Sequence, residues 1–181
     1  YPKNSKQPIN ENELFKGSLE LTNEPYAIAK IAGIKMCESY NRQYKLDYRS
    51  VMPTNLYGQN DNFDKYHSHV IPGLIAKLYE AKLLNKKIIY ISGNGKAKRD
   101  FLYVDDMADA AIKVMELSKK KYQNIVSERC SHINIGSGQE ITITDLVSRI
   151  SKIVNFKGII KYDKTQPNGM KRKLLNIKKL K

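Results

Sequence analysis

Asn23-Glu24-Pro25-Tyr26-Ala27-Ile28-Ala29-Lys30-Ile31-Ala32-Gly33 is the stretch from which the rest of the chain can be read. Thr22, Asn23 and Glu24 ahead of Pro25 make a helix start with proline in the first turn, and the spacing predicts a helix to about Tyr44. Tyr26 and Lys30 lie four residues apart and so share one face of it. A phenol titrates near about 10, and a nearby ammonium favours its ionised form, which brings proton exchange closer to neutral pH. The bare Tyr-x-x-x-Lys spacing also arises by chance in amphipathic helices, so its surroundings decide.

Outward from this helix the pattern alternates. Residues 47–53 have strand character, and residues 70–84 carry helical spacing through Ile71, Leu74, Ile75, Leu78 and Leu83. Residues 87–91 form a short strand closed by Gly93 and Gly95. Residues 101–104 are extended, with Asp105 and Asp106 expected to cap a helix to about Leu117. Residues 132–135 form a strand ending at Gly136 and Gly138, Thr142 or Thr144 opens a helix to Val154, and residues 159–162 form a further strand. Strands alternating with helices predict a parallel α/β sheet with smaller appended elements. Gly93-Asn94-Gly95 and Gly136-Ser137-Gly138 each follow a strand, but Lys98 and Ile141 stand where Gly-x-Gly-x-x-Gly needs its third glycine, so both are turns rather than dinucleotide fingerprints.

The opening stretch resembles the active-site helix of the extended short-chain dehydrogenase/reductase family. Its continuation, Cys37-Glu38-Ser39-Tyr40-Asn41-Arg42-Gln43-Tyr44, resembles the GDP-L-fucose synthases in particular. Further blocks follow in that family's order: Arg49 to Gly58, Asp61-Asn62-Phe63, Ser68-His69-Val70-Ile71-Pro72, Arg99 to Ala108, Ser131 to Gly136, and Arg172-Lys173-Leu174-Leu175. The resemblance runs from about Pro2 to Leu175. It implies the C-terminal part of an extended Rossmann-type parallel sheet with a smaller α/β substrate-binding domain. Residues 1–60 would be the remainder of the NADP-binding domain, and residues 61–181 mainly the substrate-binding domain, with some elements returning to the Rossmann sheet.

The same resemblance implies roles. Tyr26 would donate the proton in reduction of a sugar C4 ketone, and Lys30 would hold the nicotinamide ribose and lower the Tyr26 pKa. Pro53, Thr54, Asn55 and Leu56 would line the nicotinamide pocket of NADPH. His69 would be the acid/base for epimerisation at C3 and C5, and it is also expected among the cofactor-binding residues; an imidazole is a proton carrier suited to neutral pH. Lys77 and Arg99 would pair with the diphosphate of a GDP-sugar, where a guanidinium forks onto phosphate oxygens. Ser92 and Asn168 occupy substrate-contact positions at which the family often has Trp and Asp. The phosphate-gripping glycine loop, a catalytic Ser and a catalytic Cys would precede Tyr1, so the expectation is a chain inactive in isolation. A homodimer through the active-site helix is implied as well.

Hydrophobic residues at 41% and charged residues at 28% are the composition of a soluble globular protein. No apolar run approaches the length of a membrane helix and no leader opens the chain, which points to the cytoplasm. The chain starts at Tyr1 and stops without a terminating signal, so both ends read as cut. Cys37 and Cys130 lie in no metal or redox spacing and are expected to be reduced and structural. His67 and His69 beside Asp61 and Asp64 read as a polar loop, so no metal is expected. The net charge is +14, and residues 149–181 hold eleven Lys or Arg against one acid, Asp163. Such a field favours nucleic acid, an anionic membrane surface or a phosphorylated ligand, or it is simply a solvated lysine-rich surface. Aromatic and basic residues show no RNA- or DNA-binding spacing, which argues against nucleic acid. Two alternatives to the synthase stay open: another nucleotide-sugar epimerase or dehydratase of the superfamily, and a non-catalytic nucleotide-sugar or nucleic-acid binding remnant.

Overall fold

The computed structural model describes residues 1–64, 67–166 and 170–180. In chain order its helices and strands are α1 (Glu24–Tyr44), β1 (Ser50–Pro53), β2 (Asn55–Tyr57), α2 (Val70–Leu83), β3 (Ile88–Ser92), β4 (Lys98–Arg99), β5 (Phe101–Tyr103), α3 (Val104–Glu116), α4 (Lys119–Ile125), β6 (His132–Ile135), β7 (Ile141–Thr142), α5 (Ile143–Val154), β8 (Ile159–Asp163) and β9 (Arg172–Lys173). The chain forms two compact units, Tyr1–Leu56 with Asp100–Gln139 and Lys173–Lys181, and Tyr57–Arg99 with Glu140–Arg172.

The first unit is built on β1 and β6, which pair in parallel from Ser50↔His132 to Pro53↔Ile135. Every residue of β6 is buried. Ile133 packs with Val114 of α3 and Tyr122 of α4, and Val51, Leu117, Ile125 and Val126 close around them. Ile9 is fully buried and bridges Leu175, its N–H donating to Leu174 O at 2.8 Å while Asn176 N donates to Ile9 O at 2.8 Å. That covering segment bonds the polar side chains of β6, leaving His132 Nδ1 buried without a hydrogen-bond partner among the described residues. Tyr1 Oη bonds His132 Nε2 at 2.9 Å and donates to Asn134 Oδ1. Asn134 donates from Nδ2 to Ile9 O at 2.9 Å and to Asn176 O at 3.2 Å, and from its backbone N to Glu11 Oε1 at 3.1 Å. Burial lowers the His132 pKa to about 4, so the ring is neutral.

In the second unit β3 and β8 pair in parallel from Ile88↔Ile159 to Ser92↔Asp163. Along β3 exposed and buried residues alternate, with Ile89 and Ile91 turned inward. α2 packs against α5, and these helices bury Leu74, Leu78 and Ala81, and Leu146, Val147 and Ile150. Thr142 caps α5 by accepting from Asp145 N at 3.0 Å, and Asn155 ends it in the left-handed conformation (φ 61°). A β-carbon at Gly158 would lie 2.8 Å from Lys86 O and 2.9 Å from Lys87 O, so only glycine lets β8 start beside β3. β7, β4 and β9 form a small three-stranded sheet.

The parallel α/β reading holds, and three local expectations change. The first strand begins at Ser50 rather than Asp47, because Asn41 of α1 captures the Tyr48 backbone: Nδ2 donates to Tyr48 O at 2.7 Å and Tyr48 N donates to Oδ1 at 2.8 Å. Asp105 and Asp106 do not cap α3 but sit inside its first turn; the cap position is Tyr103, without a side-chain bond. The two carboxylates there complement the positive end of the helix dipole. The extended reading of residues 101–104 is met by β5, whereas α4, β2 and the two-residue strands were not expected, being too short to carry a period.

Candidate active site

α1 emerges from a 3-10 turn at Leu21–Asn23 with Pro25 in its first turn, and it presents Tyr26 and Lys30 to solvent on one face. Lys30 Nζ lies 5.4 Å from the centre of the Tyr26 ring. This is the arrangement the four-residue spacing requires, with the cation held over the phenol. One side of α1 is anchored by Ile34 and Glu38, both buried; Glu38 Oε1 accepts from Ser131 N at 3.0 Å and Oε2 pairs with Lys35 at 2.8 Å.

The segment from Pro53 to Leu56 follows β1 directly. Thr54 N continues the sheet by donating to Ile135 O at 2.9 Å. Thr54 Oγ1 and Asn55 Nδ2 both donate to Asp100 O, at 3.0 and 2.8 Å. Asp100 is fully buried, and its Oδ1 accepts from Ser137 N at 3.1 Å and Ser137 Oγ at 2.5 Å. Burial pushes its carboxyl up from the ordinary aspartate value. Gly136 is required beside it, since a β-carbon there would stand 2.5 Å from Asp100 Oδ2. Asp100 therefore fixes the Thr54–Asn55 turn from behind, a role that sequence reasoning missed although Asp100 adjoins the selected Arg99. The nearest signal was Gly136, which was read only as a turn.

In the second unit His69 is the exposed N-cap residue of α2, with Gly73 N donating to its carbonyl at 3.0 Å. Lys77, within α2, is exposed. His67 contacts Asp64 Oδ1 through its backbone N at 2.7 Å and Nδ1 at 3.0 Å, a local loop arrangement. Ser92 is exposed at the end of β3. Arg99, on β4, is half-buried, its Nη1 donates to Lys98 O at 2.8 Å, and burial lowers its pKa. Asn168 lies outside the described residues.

Tyr26 and Lys30 come together, as do Thr54 and Asn55, while His69 and Lys77 belong to the start and the middle of α2. Several polar groups of the two glycine turns are engaged. Ser137 N is spent on Asp100, while Gly95 O and Ala97 O accept from Thr144 N and Ile143 N, both at 3.0 Å, and so occupy the first amides of α5. Gly95 has φ +73°, and a β-carbon there would meet the Tyr162 ring at 2.7 Å. The residues present thus suit the nicotinamide and ribose end of a dinucleotide, and neither turn supplies a pyrophosphate cradle.

The NAD dependent epimerase/dehydratase family matches residues 1–136. The chain belongs to this family. It is 53% identical to the GDP-L-fucose synthase of Escherichia coli (strain K12) over 99% of its own length and 56% of that enzyme. Among solved structures, the GDP-D-glycero-L-gluco-heptose synthase of Campylobacter jejuni superposes with a TM-score of 0.91 at 34% identity, covering 99% of this chain and 60% of that one. A GDP-L-fucose synthetase of Naegleria fowleri bound to NADP superposes with a TM-score of 0.80 at 29% identity, over 97% of this chain and 54% of that one. The chain spans about half the length of the curated relatives it matches. Among the described residues, no helix is long and apolar enough to cross a membrane.

Proposed function

We propose that this epimerase/dehydratase-family chain carries the proton-transfer and sugar-nucleotide side of an NADPH-dependent GDP-L-fucose synthase, which converts GDP-4-keto-6-deoxy-D-mannose to GDP-L-fucose. The carrying observation is the Tyr26–Lys30 pair, ring against ammonium at 5.4 Å, in a chain 53% identical to the E. coli enzyme. NADPH, when bound, supplies the hydride for C4. Tyr26 gives its proton to the oxygen that develops charge at C4, and Lys30 favours the phenolate left behind and orders the ribose hydroxyls. Pro53, Thr54, Asn55 and Leu56 bound the nicotinamide, with Asp100 holding the turn. His69 removes and returns protons at C3 and C5 and borders the cofactor. Lys77 and Arg99 bind the diphosphate, and Ser92 and Asn168 contact the substrate.

Residues 1–60 serve the cofactor and residues 61–181 mainly the substrate, with some elements returning to the cofactor-side sheet, a return supported by the parallel pairing of β6 with β1. The second copy in a homodimer covers α1, whose exposed stripe Ile28, Ala32, Met36, Tyr40 recurs every fourth residue and continues to Tyr44. The setting is cytoplasmic, where Cys37 and Cys130 stay free thiols. A second reading, reduction of a different GDP-linked keto sugar, is favoured by the likeness to the C. jejuni heptose synthase.

The test uses this chain extended to the full length of its relatives. Tyr26→Phe should cut ketone reduction by roughly 10² to 10⁴, the usual worth of a general acid, with NADPH binding nearly intact. His69→Gln should slow deuterium incorporation at C3 and C5, followed by NMR, while hydride transfer to an already epimerised intermediate survives. Unimpaired reduction by the Phe variant would refute the catalytic assignment. Failure of the wild type to accept the fucose precursor while reducing another GDP-keto sugar would select the second reading.

A further inference from the structure

β4 carries two adjacent cations, Lys98 and Arg99, and β9 beside it carries Arg172. The antiparallel register sets Lys98 against Thr142 and Arg99 against Ile141. Side chains alternate across a strand, so Lys98, Thr142 and Glu140 share one face and Arg99 takes the other. Glu140 uses both of its oxygens on that shared face. Oε1 pairs with Lys98 Nζ at 3.1 Å and Oε2 with Arg172 Nε at 2.6 Å. The Arg172 hydrogen bond, with Lys98 behind it, holds the Glu140 carboxyl below the usual carboxylate range. The Glu140 side chain is only 19% exposed, against 49% for Lys98 and 41% for Arg172, so it is the fixed member of the trio. Among the described residues no carboxylate pairs with Arg99, whose guanidinium is half-buried and bonded to the Lys98 carbonyl.

We propose that Glu140 is a charge-sorting residue for anion binding: by engaging Lys98 and Arg172 it leaves Arg99 as the one cation of the three that answers a diphosphate. The proposal rests on the reading of Arg99 as a diphosphate ligand. A site with one oriented guanidinium recognises the forked geometry of a diphosphate, whereas three loose cations would attract any anion and would do so in a salt-sensitive way.

The experiment is calorimetric titration of the chain, extended to the full length of its relatives, with GDP at low and at physiological salt, in the wild type, Arg99→Ala, Glu140→Gln, the double variant and Lys98→Met. Arg99→Ala should weaken GDP binding about tenfold or more in the wild-type background, the weight of a lost charge-assisted hydrogen bond. In the Glu140→Gln background the same change should cost about threefold or less, because the uncompensated charges of Lys98 and Arg172 add diffuse attraction for the anion, and affinity should fall more steeply with salt. Lys98→Met should leave GDP affinity within about twofold of wild type, although its neighbour is the ligand. An equal Arg99 penalty in both backgrounds, or a several-fold loss in Lys98→Met, would overturn the sorting role. Absence of GDP binding, or an Arg99→Ala variant that binds like wild type, would overturn the diphosphate reading and the proposal with it. If circular dichroism shows that Glu140→Gln does not fold, the Lys98→Met titration decides alone.

Discussion

β6 and β3 are built from similar material, short parallel strands with isoleucine at alternate positions, yet they have opposite surroundings. In β3 the alternation means what it usually means: Ile89 and Ile91 are buried, while Ile88, Tyr90 and Ser92 face outward. In β6 the alternating residues are His132 and Asn134, both polar, and both are fully buried. Residues 1–14 and the segment after β9 cover that face and supply Tyr1 Oη, Ile9 O, Asn176 O and Glu11 as partners. The same period thus marks a half-open strand in one unit and a closed, hydrogen-bonded one in the other. What distinguishes them is not in the strands but in the segments laid over them.

The comparison breaks most readily at Asn134. Asn134→Leu would remove the side-chain donor of the Asn176 carbonyl, one of the two donors of the Ile9 carbonyl and an acceptor of Tyr1, and buried groups left without partners are costly, so a loss of about 3–5 kcal/mol is expected by chemical denaturation. A cost under about 1 kcal/mol would show that the covering segment contributes little to β6. The second probe is pH. His132 has a folded pKa of about 4, below its ordinary 6.5, so the unfolded chain takes up the proton first. Its contribution is complete above the ordinary value and is lost as pH falls toward about 4, amounting to roughly 3 kcal/mol over that window. Denaturation midpoints measured across the range should show this slope, and His132→Asn should flatten it. The smallest effect is expected on the open face of β3, where Tyr90→Thr should change stability by no more than about 0.5 kcal/mol.

Legibility followed the same division. α1, α2, α3, α5 and strands β1, β3, β6 and β8 were readable because each is long enough, or sufficiently bounded by Gly, Pro or capping residues, to show its period. β4, β7 and β9 were not, because two residues carry no period and exist only as paired neighbours. In the candidate site Tyr26 and Lys30 were legible because a helix converts a four-residue spacing into proximity. Asp100 and Glu140 were not, since their partners lie far off in sequence: Ser137 and the Thr54–Asn55 turn for one, Lys98 and Arg172 for the other.

Local rules thus read from the residues alone gave the helix that carries the phenol and the ammonium, the alternation of strands with helices, a helix start at Thr142 or Thr144, and the two glycine turns that do not complete a dinucleotide fingerprint. Resemblance added the family and the expected roles. Tertiary structure decided which polar residues are buried and satisfied, that Asp100 backs the Asn55 turn, and that Glu140 takes two of three neighbouring cations. The physical reason is range. Helical and strand periods are set by neighbours within a few residues, whereas hydrogen bonds and ion pairs between Asn134 and Ile9, or between Glu140 and Lys98, form only after distant segments have been brought together by burial of the apolar side chains between them.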